Sequence, residues 1–355
     1  MPKGFEGWVV AERQIGGWTF DDFTAEGHFF YADSESLSPN QEYKDRPEKI
    51  TYGMTEKLNS RTKGPQKPGG DLTFQPRSND VVNVFMSHFQ KYIGVDSGNG
   101  DGTSIYTFVP CKAQPDWAGT LYGTGAYTGT EGDMFVNNYH VKFNDTTAGT
   151  NNAKKFGRAF ADQIVLESAA GEDVKLTASL KSKEFAFARD TSTPPGARGS
   201  YSELTPFEFF EGTITVDGRT DLEITNFSLT SSRNSEDRPT VGNLNPTKYD
   251  FGRYTCEGVI QVDAPKEVTW HLGSMLLDET FAIAGTWFNS ASDYMIVSIP
   301  NAKYQPFDVN LSAGDAQTEY GIAWKAYESN DGTTSPITVT VKTTGMGSAF
   351  DVIAV

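Results

Sequence analysis

The sequence lacks the long apolar runs that membrane spans and secretory signals require. No stretch of its 355 residues approaches the ~18 consecutive apolar residues of a transmembrane helix. The first five residues, Met-Pro-Lys-Gly-Phe, do not begin a basic segment followed by an apolar one, which is the pattern of a secretory signal. We therefore expect no contact with a membrane, and a protein that stays in a cytoplasm-like compartment or leaves it by lysis.

Cysteine and histidine are also scarce. The two cysteines, Cys111 and Cys256, are far apart in the sequence. A reducing compartment favours free, packed thiols, although the sequence leaves a disulfide open. The four histidines include no pair at the spacing of metal ligands, which argues against a zinc site. We expect neither a metal nor a cofactor.

Motifs that carry catalysis are missing as well. The glycines of residues 123–129 resemble a dinucleotide-binding loop, but the third glycine comes one position late and no helical pattern follows. Residues 96–102 resemble a calcium loop, but Thr107 stands where the glutamate ligand belongs. No Gly-x-Ser-x-Gly sequence occurs. We predict no catalytic residue and expect a protein that is not an enzyme.

The charge balance is acidic. The chain has 30 basic and 46 acidic residues, for a formal net charge of −16. Such a surface repels phosphate, so electrostatic wrapping of DNA is disfavoured. A nucleic acid that passes the protein without binding remains compatible with this charge.

Glycine and aromatic residues are abundant, with 35 Gly, 24 Phe and 15 Tyr. This composition is typical of an all-β chain, since glycine suits turns and aromatics suit pleated surfaces. Many segments alternate between apolar and polar residues, which predicts strands with one buried face. They are residues 105–109, 163–167, 174–180, 209–216, 224–229, 254–262, 294–299, 320–326 and 337–341. We predict an all-β, mainly antiparallel sandwich or barrel.

Local signals add detail to this arrangement. Turn residues at 169–173 and 329–333 predict two hairpins, each joining the alternating segments on its two sides. Pro300 is expected to end the strand that begins at Tyr294. The alternation slips by one residue between Ile224 and Phe227, which predicts a β-bulge.

One helix is predicted, over residues 78–93. Ser78 is the expected N-cap and Gly94 the residue that follows the last turn. At about 100° per residue, the apolar residues fall in one stripe, with Val84 outside it. The stripe expected to be buried includes Val81, Phe85, Phe89 and Ile93. This face should cover one face or edge of a sheet.

Two segments stand apart from the β pattern. Residues 1–47 are rich in aromatic and acidic residues without a clear period, and residues 112–160 are poor in apolar residues and rich in Gly, Asn and Thr. We interpret the first as an N-terminal extension or arm and the second as a long insertion in a single β-domain over residues 48–355. The extension either packs on its own core or contacts a neighbouring subunit, and the sequence leaves both open.

A third segment, residues 60–70, is rich in Gly and Pro and carries a local excess of positive charge. It is predicted to be a loop. Such a loop is either solvated or in contact with an acidic neighbour, and the sequence favours neither.

The order of these elements resembles the tail tube proteins of long-tailed, siphovirus-type bacteriophages. The resemblance covers about residues 48–343 and includes the helix 78–93. Its other patches are 69–76, 104–108, 162–166, 207–210, 214–218, 224–229, the loop with Gly242 and Asn243, the strand through Gly258, 299–304 and 319–324. The extension 1–47 and the insertion 112–160 depart from the family pattern.

The resemblance implies a flattened β-sandwich or barrel flanked by one helix. It also implies hexameric rings that stack into a tail tube, through which DNA passes into the host. The partners it implies are further copies of the chain, the tape measure protein, the tail terminator and the distal tail protein, with genomic DNA as a passenger that does not stick. The protein would then reside in the virion tail after assembly in the host cytoplasm.

The resemblance also implies roles for particular residues. Candidates for an acidic or neutral lumen, on the outward face of one sheet, are Glu167, Glu172, Asp173 and Glu257. Candidates for contacts between rings are Trp8, Trp18, Phe20, Arg61, Lys63 and Lys67.

Two alternatives remain. One is another ring-forming tail or baseplate component, which would stop at a single ring. The other is a carbohydrate-binding β-sandwich, since some of the six tryptophans would be able to stack on sugars instead of packing in the core or at an interface.

Overall fold

A computed structural model of the chain describes residues 7–13, 28–45, 61–96, 103–112, 137–143, 151–190, 204–220, 223–262, 268–306 and 320–344. Within these ranges the fold is mainly antiparallel β-structure, as the sequence predicts. None of the helices in this part of the chain is long and apolar enough to cross a membrane.

The strands and helices have the following bounds. The strands are β1 Gly7–Arg13, β2 His28–Phe30, β3 Ala32–Glu35, β4 Gln41–Asp45, β5 Arg61–Gln66, β6 Gly69–Phe74, β7 Tyr92–Asp96, β8 Thr103–Phe108, β9 Asn137–Phe143, β10 Asn151–Ala169, β11 Lys175–Asp190, β12 Gly212–Val216, β13 Ile224–Ser232, β14 Glu236–Arg238, β15 Lys248–Asp250, β16 Thr255–Val262, β17 Thr280–Ser290, β18 Asp293–Tyr304, β19 Tyr320–Ala326 and β20 Thr338–Thr344. The helices are α1 Ser78–Phe89 and α2 Val268–Leu276.

Most strands belong to one large sheet, whose main path runs β2-β1-β9-β10-β13-β16-β19-β18-β20-β8-β7. The sheet folds into two halves that face each other across one core. One half includes β10, β13, β16 and β19, and the other includes β17, β20, β8 and β7. Phe227 of β13 lies 6.0 Å from Trp287 of β17 between ring centroids. The Trp287 indole N–H also donates to Ser168 Oγ of β10, at 3.4 Å. These contacts make the fold sandwich-like, and strand β18 passes through both halves.

Alternation accounts for most strands, and it also locates an irregularity. In β13, Phe227, Leu229 and Ser231 are buried, and the residues between them are half-buried. The pairing of β13 with β16 shifts register between Ile224 and Asn226. The bulge predicted between Ile224 and Phe227 is therefore confirmed.

Two predictions about the C-terminal strands are wrong. Strand β18 continues past Pro300 to Tyr304. Its pairing with β20 ends at Ser298, and its pairing with β19 begins at Ala302. Pro300 lies between these two ladders, so the N–H that proline lacks is not needed for a hydrogen bond to either strand. The second predicted hairpin does not form either, because β18 lies between β19 and β20.

Helix α1 is shorter than predicted. It ends at Phe89, and Gln90 adopts the left-handed conformation, with φ 57°, that Gly94 was expected to supply. Ile93 therefore lies in strand β7 and not in the helix. The N-cap is Arg77, while Ser78 Oγ is 2.8 Å from Thr343 Oγ1 of β20.

All twelve residues of α1 are buried, including Val84 and the polar ones. Val81, Phe85 and Phe89 belong to the core between the two halves. Polar residues of distant strands contact the other side of the helix. Asp80 contacts His28 of β2 at 2.5 Å, and Asn83 accepts from the Asn137 amide of β9 at 2.8 Å. The helix is thus enclosed and does not merely cover one face of the sheet.

The two segments that stood apart in the sequence supply this cover. Strand β1 pairs along its length with β9, and β9 pairs with the first part of β10. Part of segment 112–160, which looked like a loop, thus forms strands of the main sheet. Residues 60–70 are not a loop either, because β5 pairs with β4 in a separate two-stranded sheet and β6 begins at Gly69. The short helix α2 was not predicted.

Candidate functional site

The outward side of β6, β11, β10, β13, β16 and β19 forms a continuous surface, here named the polar face. Strand register arranges its residues in rungs that run across the strands. The rungs are Asp71–Ser179–Gln163–Ser232–Thr255, Thr73–Thr177–Val165–Thr230–Glu257–Lys325, and Lys175–Glu167–Ser228–Val259–Ala323. Most of these side chains are short and uncharged.

The two glutamates of the polar face each have a lysine in their own rung, and Asp71 has a hydroxyl partner. Glu167 lies directly opposite Lys175, and Glu257 lies 3.7 Å from the Lys325 ammonium. Asp71 accepts a hydrogen bond from Ser179 Oγ at 2.6 Å. Cross-strand pairs of opposite charge stabilise a sheet modestly. The face as a whole therefore offers neither a strong positive field nor a cluster of unopposed carboxylates.

The structure divides the four residues predicted for an acidic lumen. Glu167 and Glu257 lie on the polar face in neighbouring rungs, and both are exposed. Glu172 and Asp173 do not lie on that face, since they are exposed in the turn between β10 and β11. The predicted hairpin over these two strands is confirmed.

The residues predicted for contacts between rings are dispersed. The Trp8 backbone lies in β1 opposite Lys142 of β9. Lys63 is exposed on β5, and Lys67 is exposed and lies 3.4 Å from Asp237. Trp18, Phe20 and the side chain of Arg61 lie outside the described part of the chain. Nothing here tests their role, which stays a prediction.

A second feature, the basic cleft, was not predicted. This cleft of about 330 Å³ lies at the C-terminal end of α1 and is lined by Lys112, Arg233, Arg253 and Lys325, with Glu328 as the acidic member. Its residues come from separate segments of the chain, so no local pattern in the sequence indicates it. Four cationic side chains thus meet one carboxylate in a protein that is acidic overall.

Arg233 forms the floor of the cleft and closes the end of α1. Its guanidinium donates to the carbonyl oxygens of His88, Phe89 and Cys111. Burial lowers the pKa of Arg233 to about 10, so the side chain stays charged at neutral pH. A positive charge at this end also complements the helix dipole.

Lys112, Arg253 and Lys325 lie nearer the mouth. Lys112 pairs with Glu328, and Lys325 lies 3.7 Å from Glu257. Arg253 is exposed, and no carboxylate of the described residues pairs with its guanidinium. The mouth of the cleft therefore has an unmatched positive charge.

Buried titratable groups lie beneath the polar face, where solvent does not reach them. His88 Nδ1 donates to the Ala161 carbonyl at 2.9 Å, and Nε2 accepts from Ser231 Oγ at 2.7 Å. Burial, with the charge of Arg233, lowers the pKa of His88 to about 3. Burial also raises the pKa of the Cys256 thiol, and both cysteines are free. The side chains of His88 and Cys256 lie inside the fold, where His88 joins α1 to β10 and β13 through its two ring nitrogens.

Two of the tryptophans are unable to stack on a sugar. Trp287 and Trp324 are 0% and 1% exposed. They pack against opposite sides of the core around Phe227, at 6.0 and 6.4 Å between ring centroids. No group of three or more His, Cys, Asp or Glu side chains within the described ranges is arranged to hold a metal ion.

The chain was compared with known proteins. A search of the curated proteins finds no match. A profile of the family described as phage tail tube protein matches residues 15–345, which is most of the chain and includes every strand of the polar face. The sandwich-like β-fold with the enclosed helix α1 agrees with the order of elements from which the resemblance was inferred. The chain therefore belongs to the phage tail tube protein family and is a structural component of a phage tail.

Proposed function

We propose that this protein assembles into hexameric rings that stack into the tube of a long-tailed phage, and that the polar face lines the bore. The observation that carries the proposal is the composition of that face. Its rungs consist mainly of Ser, Thr and Gln, and its glutamates lie beside lysines. A bore of this kind gives passing DNA no array of free cations to bind, so few counterions are released and the DNA slides.

The open edges of the sheet support self-association. Strand β12 pairs only with β17, β7 pairs only with β8, and neither has a second neighbour among the described strands. Unpaired edges of this length promote association with other strands unless something covers them. A closed ring of identical subunits pairs such edges without leaving any exposed.

The remaining partners are proposed from the resemblance to tail tube proteins. A tube of this kind encloses a tape measure protein before DNA enters, is closed by a tail terminator at one end and joins a distal tail protein at the other. We propose assembly in the host cytoplasm and no enzymatic activity, since the proposed role depends on shape and surface alone.

Another ring-forming tail or baseplate component is the second candidate. It differs in stopping at one ring, whereas a tube protein has matching surfaces at both ends of the subunit. The opposed charges described in the next subsection favour the tube. A carbohydrate-binding sandwich has less support, because Trp287 and Trp324 are buried.

Negative-stain microscopy and sedimentation of the purified protein test the proposal. We expect rings and stacked tubes of uniform diameter at high protein concentration. A species that stays monomeric under all assembly conditions contradicts the proposal, and single rings that never stack favour the terminator or baseplate alternative.

A further inference from the structure

The basic cleft and the turn between β10 and β11 lie at opposite ends of the same strands. Gln163, Ser232 and Thr255 are paired at the cleft end, where β13 ends and β16 begins. Ala169 and Asn226 are paired at the other end, next to the turn. From Gln163 to Ala169 the strand spans about 20 Å at roughly 3.3 Å per residue. One end of the polar face thus leads to the cleft and the other to the turn.

The turn end is acidic. Glu172 and Asp173 are exposed in the turn Ala170–Asp173, here named the acidic turn. Glu208 forms an isolated backbone β-bridge with Asp173. The Ala170 N–H donates a hydrogen bond to the Thr225 carbonyl at 2.8 Å, which brings the chain near Glu223 to the turn. Lys175 is the nearby cation, 3.4 Å from Glu172. Within the described residues, the two exposed carboxylates of the turn thus have one lysine beside them, and Asp173 also accepts a hydrogen bond from the Gln75 amide at 2.7 Å.

The cleft end has the opposite charge. Lys112, Arg233, Arg253 and Lys325 line the cleft against Glu328, and Arg253 lacks a carboxylate partner among the described residues. Side chains of Pro336, Tyr327 and Tyr254 add apolar walls. A cleft of about 330 Å³ admits a turn of a few residues and excludes a folded domain.

We infer that the basic cleft receives the acidic turn of a second copy of this chain, so that copies join head to tail along the strand direction. This inference rests on the proposed tube, and it assigns the contact between successive rings to these two surfaces. Because the two surfaces differ, the contact is heterologous, and a heterologous contact that does not close on itself continues from one copy to the next. A contact directed along the strands, from one ring to the next, therefore extends a tube.

Charge reversal tests the inference. In one variant Lys112→Glu and Arg253→Glu make the cleft acidic, and in the other Glu172→Lys and Asp173→Lys make the turn basic. Alone, each variant brings like charges together, so we expect the critical concentration for tube growth to rise at least about tenfold. When rings of the two variants are formed separately and then mixed in equal amounts, the charges match wherever a ring of one variant meets a ring of the other, and we expect tubes of alternating rings.

Lys342→Glu is the matched control, because Lys342 lies on β20 away from both surfaces and its reversal should leave tube growth unchanged. Thermal unfolding of each variant shows whether it is folded. If one variant fails to fold, the salt dependence of the wild type replaces it. Raising NaCl from about 0.05 to about 0.5 M shortens the screening length and should disperse tubes into rings or subunits.

The outcomes separate this inference from the proposed function. If the wild type forms no tubes, the tube proposal fails. If the wild type forms tubes and both reversal variants grow them equally well, the head-to-tail contact is wrong while the tube proposal stands. A mixture that does not restore growth, from two folded variants that fail alone, also overturns the assigned pairing.

Discussion

At the scale of single residues, Arg233 connects more of the structure than any local sequence signal indicates. It stands just after β13, yet its guanidinium reaches two carbonyls at the end of α1 and one after β8. The helix ends at a left-handed Gln90 without a glycine, and Arg233 supplies donors to its last carbonyls; the Phe89 carbonyl also accepts from the Cys111 N–H at 2.9 Å. One buried cation therefore fixes the positions of three segments.

Replacing Arg233 by Met should destabilise the fold markedly. The change leaves the carbonyl oxygens of His88 and Cys111 without their donor, while the Phe89 carbonyl keeps the Cys111 N–H. Each unsatisfied buried group costs about 1–3 kcal/mol, so we expect a loss of roughly 2 kcal/mol or more. Urea unfolding measures it. Arg253→Met is the control, because its side chain is exposed and should change the free energy of unfolding by less than about 0.5 kcal/mol. Equal effects of the two changes contradict the role given to Arg233.

His88 should make stability depend on pH. Its pKa is about 3 in the folded protein and 6.5 as the ordinary value, because burial and Arg233 disfavour its charged form. Below pH 6.5 the unfolded chain takes up a proton that the folded protein does not, so stability falls as pH decreases from 6.5 towards 3. The expected slope is about 1.4 kcal/mol per pH unit.

His88→Gln keeps a donor and an acceptor but does not titrate. Between pH 7.5 and 5, urea unfolding should show a weaker loss of stability in the variant, and the two curves should be parallel above about pH 7. His271, with its pKa lowered to about 4 by burial, contributes a similar slope in both proteins. Parallel curves over the whole range contradict this assignment.

At the scale of elements, the N-terminal strands serve the fold directly. Phe30 of β2 is buried and lies 5.2 Å from Phe74 and 6.2 Å from Tyr139 between ring centroids. Val9 and Ala11 of β1 are buried as well. The described parts of the extension thus pack on their own subunit, and contact with a neighbour remains a prediction for the rest.

Phe30→Ala should cost about 3–5 kcal/mol, the usual range for truncating a buried phenylalanine. Thermal or urea unfolding measures the change. Tyr43→Ala on β4, where the side chain is 50% exposed, is the control and should have a small effect. A loss in Phe30→Ala no larger than in the control would show that β2 contributes little to the stability of the core.

The sequence predicted elements whose signal is local. Alternation located the strands of the polar face other than β6, and it located the bulge near Ile224. Glu167 and Glu257, named as lumen candidates under the resemblance, lie on that face. The enclosure of α1 was not predictable from the sequence. Asp80 and Asn83 are polar and indicate a solvent-exposed side of the helix, but the fold places His28 and Asn137 against them. The basic cleft depends in the same way on the tertiary arrangement of distant segments. The second hairpin failed because a turn alone does not exclude an intervening strand.

At the scale of the whole molecule, the two outer surfaces differ in character. The polar face has short polar side chains, whereas the outer side of the other half carries an apolar row in which Phe288, 51% exposed, stacks on Tyr294 at 6.1 Å. The row continues through one charged residue, Lys342, to Ile105. Such an asymmetry is expected of a subunit that turns one side to a bore and the other elsewhere.

Labelling tests which side faces the bore. With Cys111 replaced by Ser, Ser228→Cys puts a thiol in the middle of the polar face, and Cys256 stays buried. We expect a polymer-linked maleimide to modify it in the dissociated subunit but not in assembled tubes, whose bore the polymer enters only at the ends. Lys342→Cys, on the other half, should react in both states. Fast labelling of Ser228→Cys in intact tubes contradicts a bore lined by the polar face.

The path of β18 has a consequence for how the molecule opens. This strand pairs with β17 and β20 in one half and with β19 in the other. Neither half is therefore able to detach while β18 keeps its ladders, so its amides should exchange with deuterium only through complete unfolding. The separate β4–β5 ribbon has no strand pairing with the main sheet within the described residues, so its amides should lose protection from exchange first. A subunit built this way has a single cooperative interior, from which the β4–β5 ribbon opens independently.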